Sequence, residues 1–96
     1  MPMINAATPA LRKRRVLEFD ARDLLRDDDS PDFRWCEDNA TFAHRHACEF
    51  LVWLAKNRRD RRQQLRTMHY DGCSESFLDI IRAAHRCRAE FVLIYA

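Results

Sequence analysis

The hydrophobic positions in the middle of the chain predict one long helix over residues 40–68. Its apolar side chains fall on one side of a helix drawn at about 100° per residue. They are Ala43, Ala47, Phe50, Leu54, Leu65 and Met68. Asn57 and Arg61 then continue the same stripe, so two interpretations remain. Either the helix breaks at Asn57 and restarts from Asp60, or it continues and projects beyond the core. We favour the continuous helix because Arg, Gln and Leu are good helix formers.

The two ends of the chain predict strands, with a further helix before the second one. Apolar and polar residues alternate over residues 15–20, as in a half-buried strand, and Phe91–Tyr95 is an apolar run rich in β-formers. Before that run, Ser74 or Ser76 is expected to cap a helix whose apolar face ends near Cys87. The sequence therefore predicts a helix-dominated α+β fold, in which two main helices pack on a small sheet built from the N- and C-terminal strands.

Length and composition predict one domain. The 96 residues are 47% hydrophobic and 33% charged, which favours a globular chain over a disordered one. One glycine and three prolines leave few tight turns, so an all-β sandwich is disfavoured. Residues 1–11 show no periodicity and are expected to form a flexible N-terminal tail. Residues 12–96 are expected to form a single compact domain.

The distribution of apolar residues and cysteines predicts a cytoplasmic protein. No stretch approaches the roughly 20 apolar residues that cross a bilayer, so no membrane partner is expected. The N-terminus also lacks an apolar segment of secretory length. In the cytoplasm the four cysteines are expected to stay reduced rather than to pair in disulfides.

Charge is strongly segregated along the chain, although its formal net charge is only +2. Residues 18–38 carry a net charge of −6, whereas residues 56–66 carry +5 and residues 12–15 carry +4. Because an arginine fork suits carboxylate and phosphate partners, the arginine-rich half of the long helix predicts a binding surface, together with the acidic loop. The predicted binding residues are Asn57, Arg58, Arg59, Arg61, Arg62, Arg66, Asp27, Asp28, Asp29 and Asp32.

Three interpretations of the arginine-rich segment remain open: it pairs with the chain's own acidic segment, binds another protein, or binds nucleic acid. We expect a small non-enzymatic protein-binding module, an inhibitor of the phage or mobile-element type that occludes a protein or ribonucleoprotein partner. The chain is similar to anti-CRISPR proteins in size and style only. The alternative is a nucleic-acid-binding regulator that uses residues 12–15 and 58–66.

A small zinc-binding protein is the second alternative. His44 and Cys48 lie four residues apart, on one face of the predicted helix, and Cys36 is a further possible ligand. There is no pair of cysteines at CxxC spacing. The sequence therefore predicts no cofactor and leaves these three residues as weak metal-ligand candidates.

No catalytic motif supports an enzyme. Cys73 precedes a predicted helix start, where a thiolate is favoured, and His69 is near enough in sequence to act as its base. However, the residue six places after Cys73 is Asp79, not the arginine of a phosphatase-type loop. A non-enzymatic protein is expected.

The predicted sheet implies self-association. Two strands alone make a marginal sheet in water, and an open apolar edge invites further pairing. We therefore expect a homodimer, formed either through the strand Phe91–Tyr95 or through the exposed side of the long helix.

Overall fold

The computed structural model describes residues 11, 13–44 and 48–96, which form four strands and three helices. In chain order they are β1 (Val16–Asp20), α1 (Pro31–Asn39), β2 (Ala40–His44), β3 (Glu49–Trp53), α2 (Arg58–Tyr70), α3 (Glu75–Arg86) and β4 (Phe91–Tyr95). The predicted flexible tail lies outside the described residues, except for Leu11, which is exposed.

The four strands form one mixed sheet in the order β1-β4-β3-β2. Strand β4 is parallel to β1 and antiparallel to β3, and β3 is antiparallel to β2. The two end strands of the chain therefore pair, as predicted, with Leu17 beside Val92. The predicted fold class is nevertheless wrong. A β-hairpin replaces part of the expected helix, so the sheet has four strands rather than two, and three helices pack on it rather than two.

The predicted helix over residues 40–68 is wrong in its first half. Those residues form β2 and β3, and α2 begins only at Arg58, after a break at Asn57. The apolar pattern was ambiguous because residues four apart lie on the same side of both a helix and a strand. Phe50 and Leu54 have this spacing, and Val52 between them is also buried, as the alternation of a strand explains.

The hydrophobic core lies between one face of the sheet and all three helices. Alternate strand residues point to this face. They are Leu17, Phe19, Phe50, Val52, Val92 and Ile94. Phe33 of α1 packs edge-on against Phe50 with ring centroids 5.5 Å apart, and Trp35 of α1 packs in the same way on Phe77 of α3. Since burying one such side chain contributes about 2 kcal/mol, this cluster fixes the helices on the sheet.

Helix α1 begins within the acidic loop that the sequence predicted and continues to Asn39. Ser30 caps it, because its Oγ accepts a hydrogen bond from the Phe33 N–H at 3.1 Å, and Pro31 begins the helix. Asp32 then points inward and is 6% exposed. It accepts hydrogen bonds from the backbone N–H and the hydroxyl of Ser74 at 2.8 and 2.7 Å. Asp32 therefore joins the starts of α1 and α3, and its predicted place in an exposed binding loop is wrong.

Candidate binding surfaces

Helix α2 presents a continuous band of arginines to solvent. Four arginines fall within one half of the helix circumference at 3.6 residues per turn and, with Gln63, line a groove of about 620 Å³. They are Arg58, Arg59, Arg62 and Arg66. Tyr70 follows Arg66 by one turn on the same side and is 89% exposed. We call these four arginines and Tyr70 the arginine face.

The arginine face lies where it weakens the helix that carries it. Arg58 and Arg59 occupy the first turn, where the helix dipole disfavours cations. Arg58, Arg62 and Arg66 follow one another at four-residue spacing, and each such pair of like charges destabilises a helix by about 0.2–0.5 kcal/mol. None of the ion pairs between described residues includes any of the four arginines. Anions from another molecule would relieve this repulsion.

The acidic segment of the chain does not neutralise the arginine face. Three of its aspartates form local ion pairs: Asp20 with Arg22, Asp23 with Arg26, and Asp29 with Arg34. The Arg22 guanidinium donates hydrogen bonds to the Asp20 carboxylate and holds the pKa of that carboxyl below its usual value. The interpretation in which the arginines of α2 pair with the chain's own acidic segment is therefore wrong for the part of the chain that the structure describes.

Two residues of the predicted binding surface have structural roles. Asn57 caps α2: its Oδ1 accepts a hydrogen bond from the Asp60 N–H at 2.8 Å, and its Nδ2 donates to the Asp60 carboxylate at 2.8 Å. Arg61 is half-buried and donates from Nε to the carbonyl oxygen of Ala55 at 3.1 Å. These contacts explain why polar residues continue the apolar stripe, without invoking a partner.

The arginine face is held in place by a partly buried polar cluster on the opposite side of α2. Gln64 Oε1 accepts hydrogen bonds from the Ala55 N–H at 3.1 Å and from His85 Nε2 at 2.8 Å. Its Nε2 donates to the carbonyl oxygen of Trp53 at 2.9 Å. An amide oxygen has no hydrogen, so His85 carries its proton on Nε2. Burial and the Arg61 guanidinium lower the pKa of His85 to about 4.

A second group of basic side chains lies where β1 and β4 begin and β3 ends. Two grooves there are lined by Lys13, Arg14, Arg15, Val16, Lys56, Arg61, Arg88, Ala89 and Glu90. Arg14 forms an ion pair with Glu90 and holds the pKa of that carboxyl below its usual value. Arg15 donates to the carbonyl oxygen of Cys87 at 2.9 Å. Arg88 adopts a φ of 56°, a left-handed conformation that glycine usually takes after a helix. The fold thus brings residues 13–15 close to the start of α2.

The remaining acidic loop is exposed. Asp27, Asp28 and Asp29 hold their carboxylates within 4.8 Å of one another, and Asp27 accepts a hydrogen bond from the Asp29 N–H at 2.9 Å. The loop follows the end of β1, whereas the basic grooves lie at its beginning.

The weak metal-ligand candidates do not share a helix. His44 ends β2, Cys48 immediately precedes β3, and Cys36 is buried in α1. Burial raises the pKa of the Cys36 thiol, which opposes formation of the thiolate that a metal would bind. Among the described residues, the aspartates of the exposed loop are the only group of three potential ligands that lie together.

Cys73 lacks the features of an activated nucleophile. It is buried at the turn before α3, and burial, together with the charges of Asp32 and Asp71, raises the pKa of its thiol to about 12. A reactive cysteine needs the opposite shift.

The sheet face away from the helices carries apolar side chains that are partly or largely exposed. Phe42 is 63% exposed, and Trp53 and Val16 are 44% and 43% exposed. Cross-strand pairing places Leu51, Phe91 and Leu93 on the same face. The signal was present in Glu49–Trp53, because alternate residues point to opposite faces of a strand. We call these six apolar residues the open sheet face.

Comparison of the chain with protein-family models, with curated proteins and with solved structures finds no match. Within the described residues, none of the helices is both long and apolar enough to cross a membrane.

Proposed function

We propose that the protein is a non-enzymatic binding module, which docks the arginine face of α2 on an acidic surface of a protein or ribonucleoprotein partner and so occludes that surface. The observation that carries the proposal is the group of four arginines on one side of α2, for which the described residues provide no ion pair. The module acts in the cytoplasm as a homodimeric inhibitor of the phage or mobile-element type.

The chemistry of the arginine face suits carboxylates. Each guanidinium offers a planar fork that matches a carboxylate in two parallel hydrogen bonds. Exposed ion pairs contribute only about 0–1 kcal/mol each, but here a partner also removes the repulsion between successive arginines. Tyr70 adds an aromatic side chain of the kind enriched at interfaces. The acidic loop of Asp27, Asp28 and Asp29 supplies a second contact for a partner that carries basic residues.

Affinity capture from a host lysate with paired variants tests the proposal. The Arg62→Gln/Arg66→Gln variant keeps side-chain length and helix propensity but removes two charges from the arginine face. We expect it to lose most of the partner that the wild-type chain retains. Arg86→Gln, an exposed arginine of α3 without an ion pair among the described residues, is the control and should retain it. Equal capture by all three proteins, or capture of nothing by the wild type, would contradict the proposal.

A nucleic-acid-binding regulator is the second candidate, and one observation favours it. Lys13, Arg14 and Arg15 line grooves that adjoin the start of α2 through Arg88 and Lys56, so both basic segments lie at one end of the fold. A polyanionic backbone can follow such a band and release its counterions. Arg14 and Arg15 already have partners within the chain, which reduces the charge available.

Nuclease treatment and salt separate the two candidates. If the partner is a protein, capture survives nuclease treatment of the lysate, and the purified chain does not bind random DNA or RNA at moderate salt. If it is a nucleic acid, capture is lost, and log K falls with log salt by a slope that drops by about 1 for each phosphate-binding arginine removed.

A further inference from the structure

The open sheet face is an apolar surface between charged ends. Its side chains form two rows across the strands. Val16, Phe91 and Trp53 form the first row, and Leu93, Leu51 and Phe42 form the second, with Glu18 at the β1 edge of that second row. All three helices pack on the other face of the sheet, and none of these side chains belongs to the buried core cluster. An apolar patch of this kind on a folded protein marks an interaction site.

The charges at the ends of the strands have opposite signs. The row beyond Leu51 contains Glu49 and Asp20, both exposed, beside Tyr95. Beyond the first row, at the opposite end, lie Arg14 and Lys56, which are also exposed. Strands β1 and β3 run in opposite directions, yet each has its basic residue at the same end of the sheet.

We propose that the open sheet face binds a second copy of this chain in a twofold-symmetric dimer with the two sheets face to face. The twofold axis lies in the plane between the two sheets. It crosses the strands at right angles and passes between the two apolar rows. Each row then packs on the other row of the partner, as in the interdigitating faces of a β-sandwich. The same rotation brings Glu49 toward the partner's Lys56, and neither residue has an ion pair among the described residues. It also brings Asp20 toward the partner's Arg14, but these two already pair with Arg22 and Glu90 of their own chain.

The charges select this orientation over the other face-to-face arrangement. A twofold axis parallel to the strands would place acidic ends on acidic ends and basic ends on basic ends, and like charges in contact oppose association. An isologous contact of this type also closes on itself and leaves no surface for a third copy.

The size of the face predicts a weak dimer. Four strands about 4.8 Å apart and five residues long give a face of about 19 Å by 17 Å, or roughly 320 Å² per copy, which is well below the roughly 800 Å² per partner of a stable interface. The charged ends must therefore contribute, and the association should weaken with salt.

This inference deepens the homodimer of the proposed function, but it uses a different surface from the arginine face. An experiment can therefore contradict the proposed dimer without contradicting the proposed function, and the reverse. Arg62→Gln/Arg66→Gln is expected to leave the dimer unchanged, and a dimer-breaking variant is expected to retain partner binding by the monomer.

Sedimentation equilibrium of the full chain tests the contact. We expect a reversible monomer–dimer equilibrium that Phe42→Glu shifts at least tenfold toward monomer, because a charge would be buried against apolar side chains. Tyr70→Glu, at a more exposed aromatic residue outside the sheet, should leave the equilibrium unchanged. A wild-type chain that stays monomeric at the highest attainable concentration, or a dimer that both variants weaken equally, would overturn the proposal.

A charge exchange tests the orientation. Glu49→Lys and Lys56→Glu are each expected to weaken the dimer about twofold to fivefold, as for exposed ion pairs. The double variant restores the opposite charges and should recover the wild-type constant. Both positions are exposed, so folding is not at stake. Additive weakening in the double variant would overturn the proposed twofold orientation.

Discussion

The two sides of helix α2 use the same kinds of residue in opposite ways. Arg61 is half-buried and donates to the carbonyl oxygen of Ala55, whereas Arg62, the next residue, is exposed and has no ion pair among the described residues. Gln63 and Gln64 differ in the same way: Gln63 lines the outer groove, and Gln64 makes three hydrogen bonds inside.

This comparison separates polar residues that stabilise the fold from those available to a partner. The inner side satisfies groups that would otherwise be buried without partners, so its residues are explained by the chain itself. The outer side gathers four positive charges, two of them in the first turn, where the helix dipole disfavours cations. Residues that destabilise their own helix, and that gain no compensating contact within the protein, usually belong to a functional surface.

The two glutamines give the largest expected contrast. Gln64→Ala removes the partners of the buried Ala55 N–H and of His85, so we expect the free energy of unfolding to fall by about 3 kcal/mol. Gln63→Ala changes an exposed side chain and should stay within about 0.5 kcal/mol of the wild type. Urea unfolding of both variants measures the difference. Equal effects would contradict the division of α2 into two sides.

The inner side also predicts a dependence of stability on pH. His85 has its pKa lowered to about 4 in the folded state, against about 6.5 in an unfolded chain. Between these values only the unfolded chain takes up the proton, so the free energy of unfolding falls as the pH drops through 6.5 and continues to fall until about 4. We expect this group to account for about 2 kcal/mol over that range.

Chemical unfolding at a series of pH values, for the wild type and for His85→Asn, isolates this contribution. The variant lacks the titrating group, so its stability should change less between pH 6.5 and 4, whatever its absolute stability. The carboxyls of Asp20 and Glu90 have lowered pKa values and so keep their ion pairs over most of this range. Any contribution that they make is the same in both proteins and cancels in the comparison. Parallel curves would show that His85 is not held neutral.

The sequence correctly predicted the elements whose hydrophobic pattern fits only one type of secondary structure. The alternation in β1 and the β-former run in β4 each favour a strand, and both strands are confirmed. Ser74 was one of two expected caps for the last helix, and its Oγ does accept a hydrogen bond from the Phe77 N–H at 3.2 Å. Local chemistry sufficed in these cases because no distant contact competed with it.

The predictions from sequence failed where the local pattern was ambiguous and contacts with residues distant in the chain determined the structure. Residues 49–53 suit a helix or a strand, and pairing with β4 on one side and β2 on the other made them a strand. Asp32 looked like part of a repelling acidic loop until Ser74, 42 residues away, provided two donors. The arginine face was predicted from charge alone, but its separation from Arg61 and Asn57 needed the direction in which each side chain points.

The smallest expected effect tests the outer side alone. Arg59→Glu places an acid in the first turn of α2, where the helix dipole favours it, and removes one of the clustered positive charges. We expect the free energy of unfolding to rise by about 0.5 kcal/mol. The same change should weaken capture of the partner, so stability and binding move in opposite directions. Thermal unfolding and affinity capture, each compared with Arg86→Glu on α3, measure the two effects. If Arg59→Glu destabilised the protein, that arginine would have a structural role like that of Arg61, and the arginine face would lose one of its members.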